Sequence, residues 1–136
     1  MTNPPVRTIR VAAALIDDGR GRLLLVRKAG TRWFMQAGGK IEDDESARST
    51  LGRELREEIG LYLDEGPVRY LGRYSAPAAN EPDSRVEAEL FHVRTTHAPV
   101  ACSEIEEAVW VTPAEAKALS LAPLTRNHVL PLASVL

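Results

Sequence analysis

The sequence predicts an α/β domain of the α+β kind: a mixed β-sheet with helices packed on it. Three observations carry this expectation. Short apolar runs bounded by turn residues lie on both sides of the chain's centre, over residues 9–36 and 68–111. Between them, residues 46–59 repeat apolar side chains every four positions, the period of a helix with one buried stripe. A second helix start follows the last apolar run, at Thr112-Pro113-Ala114-Glu115. The order strands, helix, strands, helix suits a sheet covered by helices.

Each element has its own reason. Residues 9–16 are apolar throughout and follow a Pro-containing tail, which predicts a buried strand. The turn residues Asp17-Asp18-Gly19-Arg20-Gly21 lead to residues 23–26, so the two runs are expected to pair as a hairpin. Residues 33–36 predict a short strand running into Gly38-Gly39. The helix over 46–59 carries Ala47, Leu51, Leu55 and Ile59 on one stripe. Asp43 or Asp44 is expected to cap its start, and Gly60 to stop it. Residues 68–74 and 85–94 predict strands, with Val86, Ala88 and Leu90 facing a core and Glu87 and Glu89 facing water. Residues 76–83 form a loop, 109–111 a short strand, and 125–134 a last helix whose extent Pro131 limits.

The 136 residues fit one domain, with 44% hydrophobic and 26% charged side chains. Lys plus Arg number 17 against 19 Asp plus Glu, a net charge of −2, so neither stable nucleic-acid binding nor attraction to an acidic membrane is expected. One cysteine, Cys102, allows no internal disulfide and has no activating neighbours in sequence. The N-terminal segment lacks an apolar signal core and no stretch is long enough to span a bilayer, so the expected compartment is the cytoplasm.

The chemistry concentrates on the central helix. At about 100° per residue, Glu54, Glu57 and Glu58 share one side, next to the apolar stripe. Glu54 and Glu58 are four apart and repel by a few tenths of a kcal/mol. A divalent cation with hard oxygen ligands would offset that repulsion. The plain alternative is a solvated acidic face neutralised by Arg48, Arg53 and Arg56.

The loop before the helix narrows the choice. Gly39, Glu45, Arg53-Glu54-Leu55, Glu57-Glu58 and Gly60-Leu61 are spaced as G-x5-E-x7-R-E-U-x-E-E-x-G-U, with U apolar. Residues 39–61 thus resemble the Nudix box of the MutT-like hydrolases at every specified position. Coincidence in a chain this long is on the order of one in a million at ordinary residue frequencies. The resemblance implies a mixed sheet sandwiched between helices and a site for Mg²⁺, or Mn²⁺ in its place. It implies Glu57 and Glu58 as metal ligands, Glu54 as a further ligand or the base acting on water, and the Gly38 carbonyl in the metal shell. Arg53 and Glu45 would orient the catalytic carboxylates.

By the same resemblance, an acid outside the box assists. Glu104, Glu106 and Glu107, expected on a loop before Trp110, are candidates, with Glu87 and Glu89 as alternatives. For substrate recognition the candidates are Arg32, Phe34 and Asn127, with Trp33 as a further stacking surface and Arg27 and Lys28 as further phosphate contacts. His92, His97 and His128 stand in no metal-ligand or triad spacing. The implied activity is cleavage of a diphosphate linkage in a nucleotide-like molecule, first a nucleoside triphosphate, including oxidised ones, then ADP-ribose or a dinucleoside polyphosphate. A non-catalytic nucleotide sensor on the same fold is the competing class, and homodimerisation is a further expectation from the family.

Overall fold

The computed structural model describes residues 7–63 and 67–136. The Pro-containing tail before Arg7 lies outside them. In chain order the strands are β1 (Arg7–Asp17), β2 (Leu23–Lys28), β3 (Phe34–Met35), β4 (Gly38–Lys40), β5 (Val68–Pro77), β6 (Ser84–Arg94) and β7 (Ile105–Val111). The helices are α1 (Ala47–Ile59) and α2 (Pro113–Ala116), then a π-helical turn (Thr125–Val129) that runs into α3 (Leu130–Ala133).

These strands form one mixed sheet in the order β3-β2-β1-β6-β5, with β4 also on β1 and β7 also on β2. The centre is a parallel pair, β1 on β6, in register from Arg7 opposite Ser84 to Asp17 opposite Arg94. Both faces of that pair are covered, which explains the unbroken apolar run of β1. Ala12, Ala14 and Ile16 pack with Leu51, Leu55 and Ile59 of α1 on one face. Ala13 and Leu15 pack with Leu124 and Val129 on the other. Each wholly buried leucine or isoleucine contributes roughly 1.5–3 kcal/mol.

Several expectations change. The β1–β2 hairpin pairs only at Asp17–Leu23. Farther along, β1 turns that edge to β4 and β2 pairs with β7. The third strand shrinks to Phe34–Met35, and β5 runs on to Pro77, so the loop after it begins at residue 78. The alternation in β6 fails as an inside–outside pattern, because Glu89 is buried along with Ala88 and Leu90. Neither Asp43 nor Asp44 caps α1. Both lie in a turn, and Ser46, in extended conformation, accepts the Ser49 N–H at 3.1 Å. Gly60 ends the helix with φ 69°, as a left-handed cap requires. The Thr112–Glu115 capping box forms as expected. The C-terminal helix opens as a π turn, closed by the Leu130 N–H on the Thr125 carbonyl, and Pro131 stands in the first turn of α3, where its missing N–H is tolerated. No helix among the described residues is long and apolar enough to cross a membrane.

Candidate active site

The rim of α1 nearest β4 collects the acidic residues. Arg53 grips Glu45 with two bonds, Nε to Oε2 at 2.8 Å and Nη2 to Oε1 at 2.7 Å. Its remaining nitrogen, Nη1, donates to Glu54 Oε1 at 2.9 Å and lies 3.6 Å from Glu57 Oε2. Thr50 and the Glu42 N–H complete the bonds on Glu45. The Arg53 bonds hold the Glu45 carboxyl near pKa 2 against the opposing effect of burial. One guanidinium therefore ties the loop before the helix to two helical carboxylates, as a fork-shaped, permanently charged group can.

Glu58 points inward from the same helix. It is 7% exposed, and its Oε1 accepts the Gly38 N–H at 3.0 Å. Burial pushes its carboxyl up to about 7, and the negative charges of Glu54 and Glu104 add to the rise. The Gly38 bond and the Lys28 charge oppose it without cancelling it. The two glycines of β4 make this approach possible. A side chain at Gly38, φ 153°, would strike the Ala12 carbonyl, and one at Gly39 would enter the Glu54 carboxyl. The N–H of Gly38 meets the acidic helix here, and its carbonyl is not engaged by that bond.

Three carboxylates, those of Glu45, Glu54 and Glu57, thus face Arg53, while Glu58 turns to the Gly38 N–H and feels the Lys28 charge without an ion pair among the described residues. No three His, Cys, Asp or Glu side chains among the described residues already converge as a closed ligand set. The donor chemistry nonetheless fits a hard divalent cation. The groups are carboxylate oxygens in excess of nearby cations, one of them raised first by burial and then by the charges of Glu54 and Glu104.

The outside acids separate clearly. Glu106 and Glu107 stand on β7 and not on a loop, because residues 105–108 pair along β2. Glu107 holds Arg27 at 2.6 Å and Glu106 lies 3.5 Å from it. Arg27, one of the expected phosphate contacts, is thus ion-paired within the sheet. Glu104, in the turn before β7, is the one whose charge reaches Glu58. Glu89 accepts bonds from Tyr70 and Arg73, and Glu87 faces Arg10 and Arg73, so both are already paired. The three histidines bind Asp17, the Ile59 carbonyl and the Ser75 carbonyl, which are structural contacts.

Beside Gly38 and Gly39 lies a cavity of about 160 Å³, between the β1–β6 sheet face, the loop after β5 and the segment before the π turn. Lys28, Met35, Gln36, Lys40 and Thr125 are among its lining residues. Arg32, Phe34 and Asn127 are not. Arg32 lies 4.5 Å over the Trp33 ring, so these two candidates sit together outside the cavity lining. Phe34 packs on the cluster of Leu25 and Leu121, and its backbone pins residues 120 and 122. Asn127 is exposed on the π turn, away from the cavity. Sequence reasoning passed over Gln36 and Thr125. The available signal was a glutamine at the end of a short strand expected to run into Gly38-Gly39.

Comparisons with known proteins agree with this geometry. The family model described as NUDIX domain matches residues 7–132. The chain is 38% identical over 125 residues to the CTP pyrophosphohydrolase of Escherichia coli K12, covering 87% of this chain and 86% of that protein. It is 33% identical over 116 residues to the NAD-capped RNA hydrolase NudC of Mycobacterium tuberculosis, of which it spans only 33%. Among solved structures, the Escherichia coli ORF135 protein superposes with a TM-score of 0.67 at 33% identity, covering 95% of this chain and 88% of that one. The MutT protein of Methanosarcina mazei reaches a TM-score of 0.77 at 22% identity, over 98% and 97% of the two chains, a likeness of fold.

Proposed function

The chain belongs to the Nudix hydrolase family, and from that premise we propose that it hydrolyses a diphosphate linkage of a nucleoside triphosphate with Mg²⁺ or Mn²⁺. Cytidine triphosphate and its oxidised or deoxy forms are the first substrates to consider, given the 38% identity to a CTP pyrophosphohydrolase. The observation that carries the proposal is the charge imbalance at the α1 rim, set directly against a cavity large enough for a small ring.

In this reading Glu57 and Glu58 hold the ion, and Glu104 joins them from the turn before β7. Glu54, held against Gly39 and Arg53, is a further ligand or the group that accepts the proton of the attacking water. A bound Mg²⁺ supplies charge neutralisation at the diphosphate oxygens and a lowered pKa for a bound water. Water adds to one phosphorus while the P–O–P bridge breaks. Arg53 and Glu45 position Glu54 and do not touch the substrate. Lys28, on the cavity wall and unpaired with any described carboxylate, meets the phosphate chain, and the cavity takes what the chain carries.

The test is a panel with Mg²⁺: CTP, dCTP, the other nucleoside triphosphates, ADP-ribose and a dinucleoside polyphosphate, followed by phosphate and pyrophosphate release. Turnover of at least one triphosphate is expected, with a large loss in Glu57→Gln. Equal turnover by both proteins would remove the metal-ligand assignment. No turnover across the panel would favour a nucleotide sensor.

A further inference from the structure

Gln36 holds a hydrogen-bond donor that the protein leaves unused. The side chain is 6% exposed, on the short segment between β3 and β4, and it lines the cavity. Its one side-chain bond among the described residues comes from Thr125, whose hydroxyl donates to Oε1 at 2.8 Å. Thr125 is wholly buried, and Gln36 is the one acceptor within reach of its hydroxyl among the described residues. That requirement sets the orientation of the amide, oxygen toward Thr125 and NH₂ away from it. No side-chain nitrogen sealed from solvent lacks a partner among the described residues. The NH₂ of Gln36 is therefore the end that remains open, and the space adjoining it is the cavity.

The geometry points to Gln36 as the residue that reads the base, by donating from its NH₂ to an acceptor edge of a ring seated in the cavity. This inference rests on the nucleotide reading above and deepens it. A donor held from behind by a buried threonine loses little freedom on binding, and a site built to hydrogen-bond one edge rejects rings that leave it unpaired. The favoured bases set two acceptors side by side, as cytosine does with N3 and O2 and guanine with O6 and N7. Adenine and uracil offer no such adjacent pair, because the amino group of adenine lies between N1 and N7 and the N3–H of uracil between O2 and O4, so the amide NH₂ meets a single acceptor there. Apolar neighbours such as Val11, Met35 and Leu124 keep water from competing for the bond.

The experiment compares kcat/KM for CTP, GTP, ATP and UTP in the wild type, Gln36→Met, Gln36→Glu and Thr125→Val, with Tm measured for each. A wild-type preference for CTP or GTP is expected, and which of the two leads tells whether the cavity takes a one-ring or a two-ring base. Gln36→Met should lower kcat/KM for the preferred base about tenfold and leave ATP and UTP within about twofold. Gln36→Glu, nearly equal in volume, should lose the preferred base and gain relative use of bases that present a donor. Thr125→Val, which unlocks the amide, should give a smaller loss in the same direction. An unaltered preference in both Gln36 variants overturns the inference, and so does an equal loss for all four nucleotides, which marks a merely structural residue. Wild-type turnover of all four nucleotides at one rate overturns the base-reading role and spares the proposed function. No turnover of any of the four nucleotides overturns both.

Discussion

Two regions of this molecule bury carboxylates to the same extent and leave them with opposite charge balance. At the turn end of β1, Asp17 and Asp18 are 7% and 6% exposed, and on α1 Glu58 is 7% exposed. Asp17 accepts from His92 at 2.6 Å, from Arg94 and from the Gly19 N–H. Asp18 accepts from the Arg20 and Arg22 N–H groups and from the Arg22 guanidinium at 2.6 Å. Burial alone would raise both carboxyls, yet these bonds lower Asp17 and bring Asp18 to about 2. Glu58 has one N–H and two nearby negative charges, and it rises to about 7. Burial of a carboxylate therefore marks no function by itself. A carboxylate that is buried and also short of positive charge is the one prepared for a cation from outside.

The contrast can be broken most directly by neutralising one acid in each place. Glu58→Gln should reduce Mg²⁺-dependent hydrolysis on the order of a thousandfold, as expected when charge stabilisation at a phosphoryl centre is lost. Asp18→Asn should change kcat by less than about twofold and lower Tm instead. Similar rate losses in both variants would mean that the two clusters do not divide between catalysis and structure.

Stability against pH sharpens the comparison next. Glu58 has a raised pKa, so the folded protein binds more protons than the unfolded chain between the ordinary carboxylate value and about 7. Chelator-treated protein should then lose stability as pH rises through that window, by up to about 3 kcal/mol, from the conversion of about 1.4 kcal/mol per unit. Asp17 has a lowered pKa, so its stabilisation is present above the ordinary value, near pH 4, and is lost as pH falls below it. Urea titrations from pH 3 to 8 measure both limbs. Glu58→Gln should flatten the upper one, and adding Mg²⁺ should offset it.

A smaller effect is expected at Arg53, whose fork joins Glu45 to Glu54. Arg53→Lys keeps the charge and loses the two-point grip, so activity should fall about tenfold with little change in KM. A change confined to KM would place Arg53 on the substrate. The mildest change should be Asp17→Asn, with stability at pH 7 reduced by about 2 kcal/mol, read by denaturant midpoint, and kcat within twofold. A rate loss there as large as that of Arg53→Lys would join the two clusters into one functional unit.

Much of α1 was legible in the sequence. The stripe of Leu51, Leu55 and Ile59, the stop at Gly60 and the acidic side all follow from local periodicity, and each is found in place. The N-terminal cap was misplaced by two or three residues, since Asp43, Asp44 and Ser46 are all good capping types and only the path of the loop selects Ser46. The extra acids were harder. Glu104, Glu106 and Glu107 are equivalent as letters, and they part only when β7 pairs with β2 and brings Arg27 to two of them.

The sequence by itself determined the order of the elements, the family and the spacing of the box, because these depend on residues close along one helix or one turn. Tertiary structure decided which of the buried acids lack a counter-charge, that the wall beside Gly38 carries the Gln36 amide, and that Phe34 and Asn127 stand elsewhere. Those facts depend on pairs such as Thr125 with Gln36, 89 residues apart, and His92 with Asp17, 75 apart. Solvation and charge pairing are set by what lies nearby in space, and no local pattern encodes that.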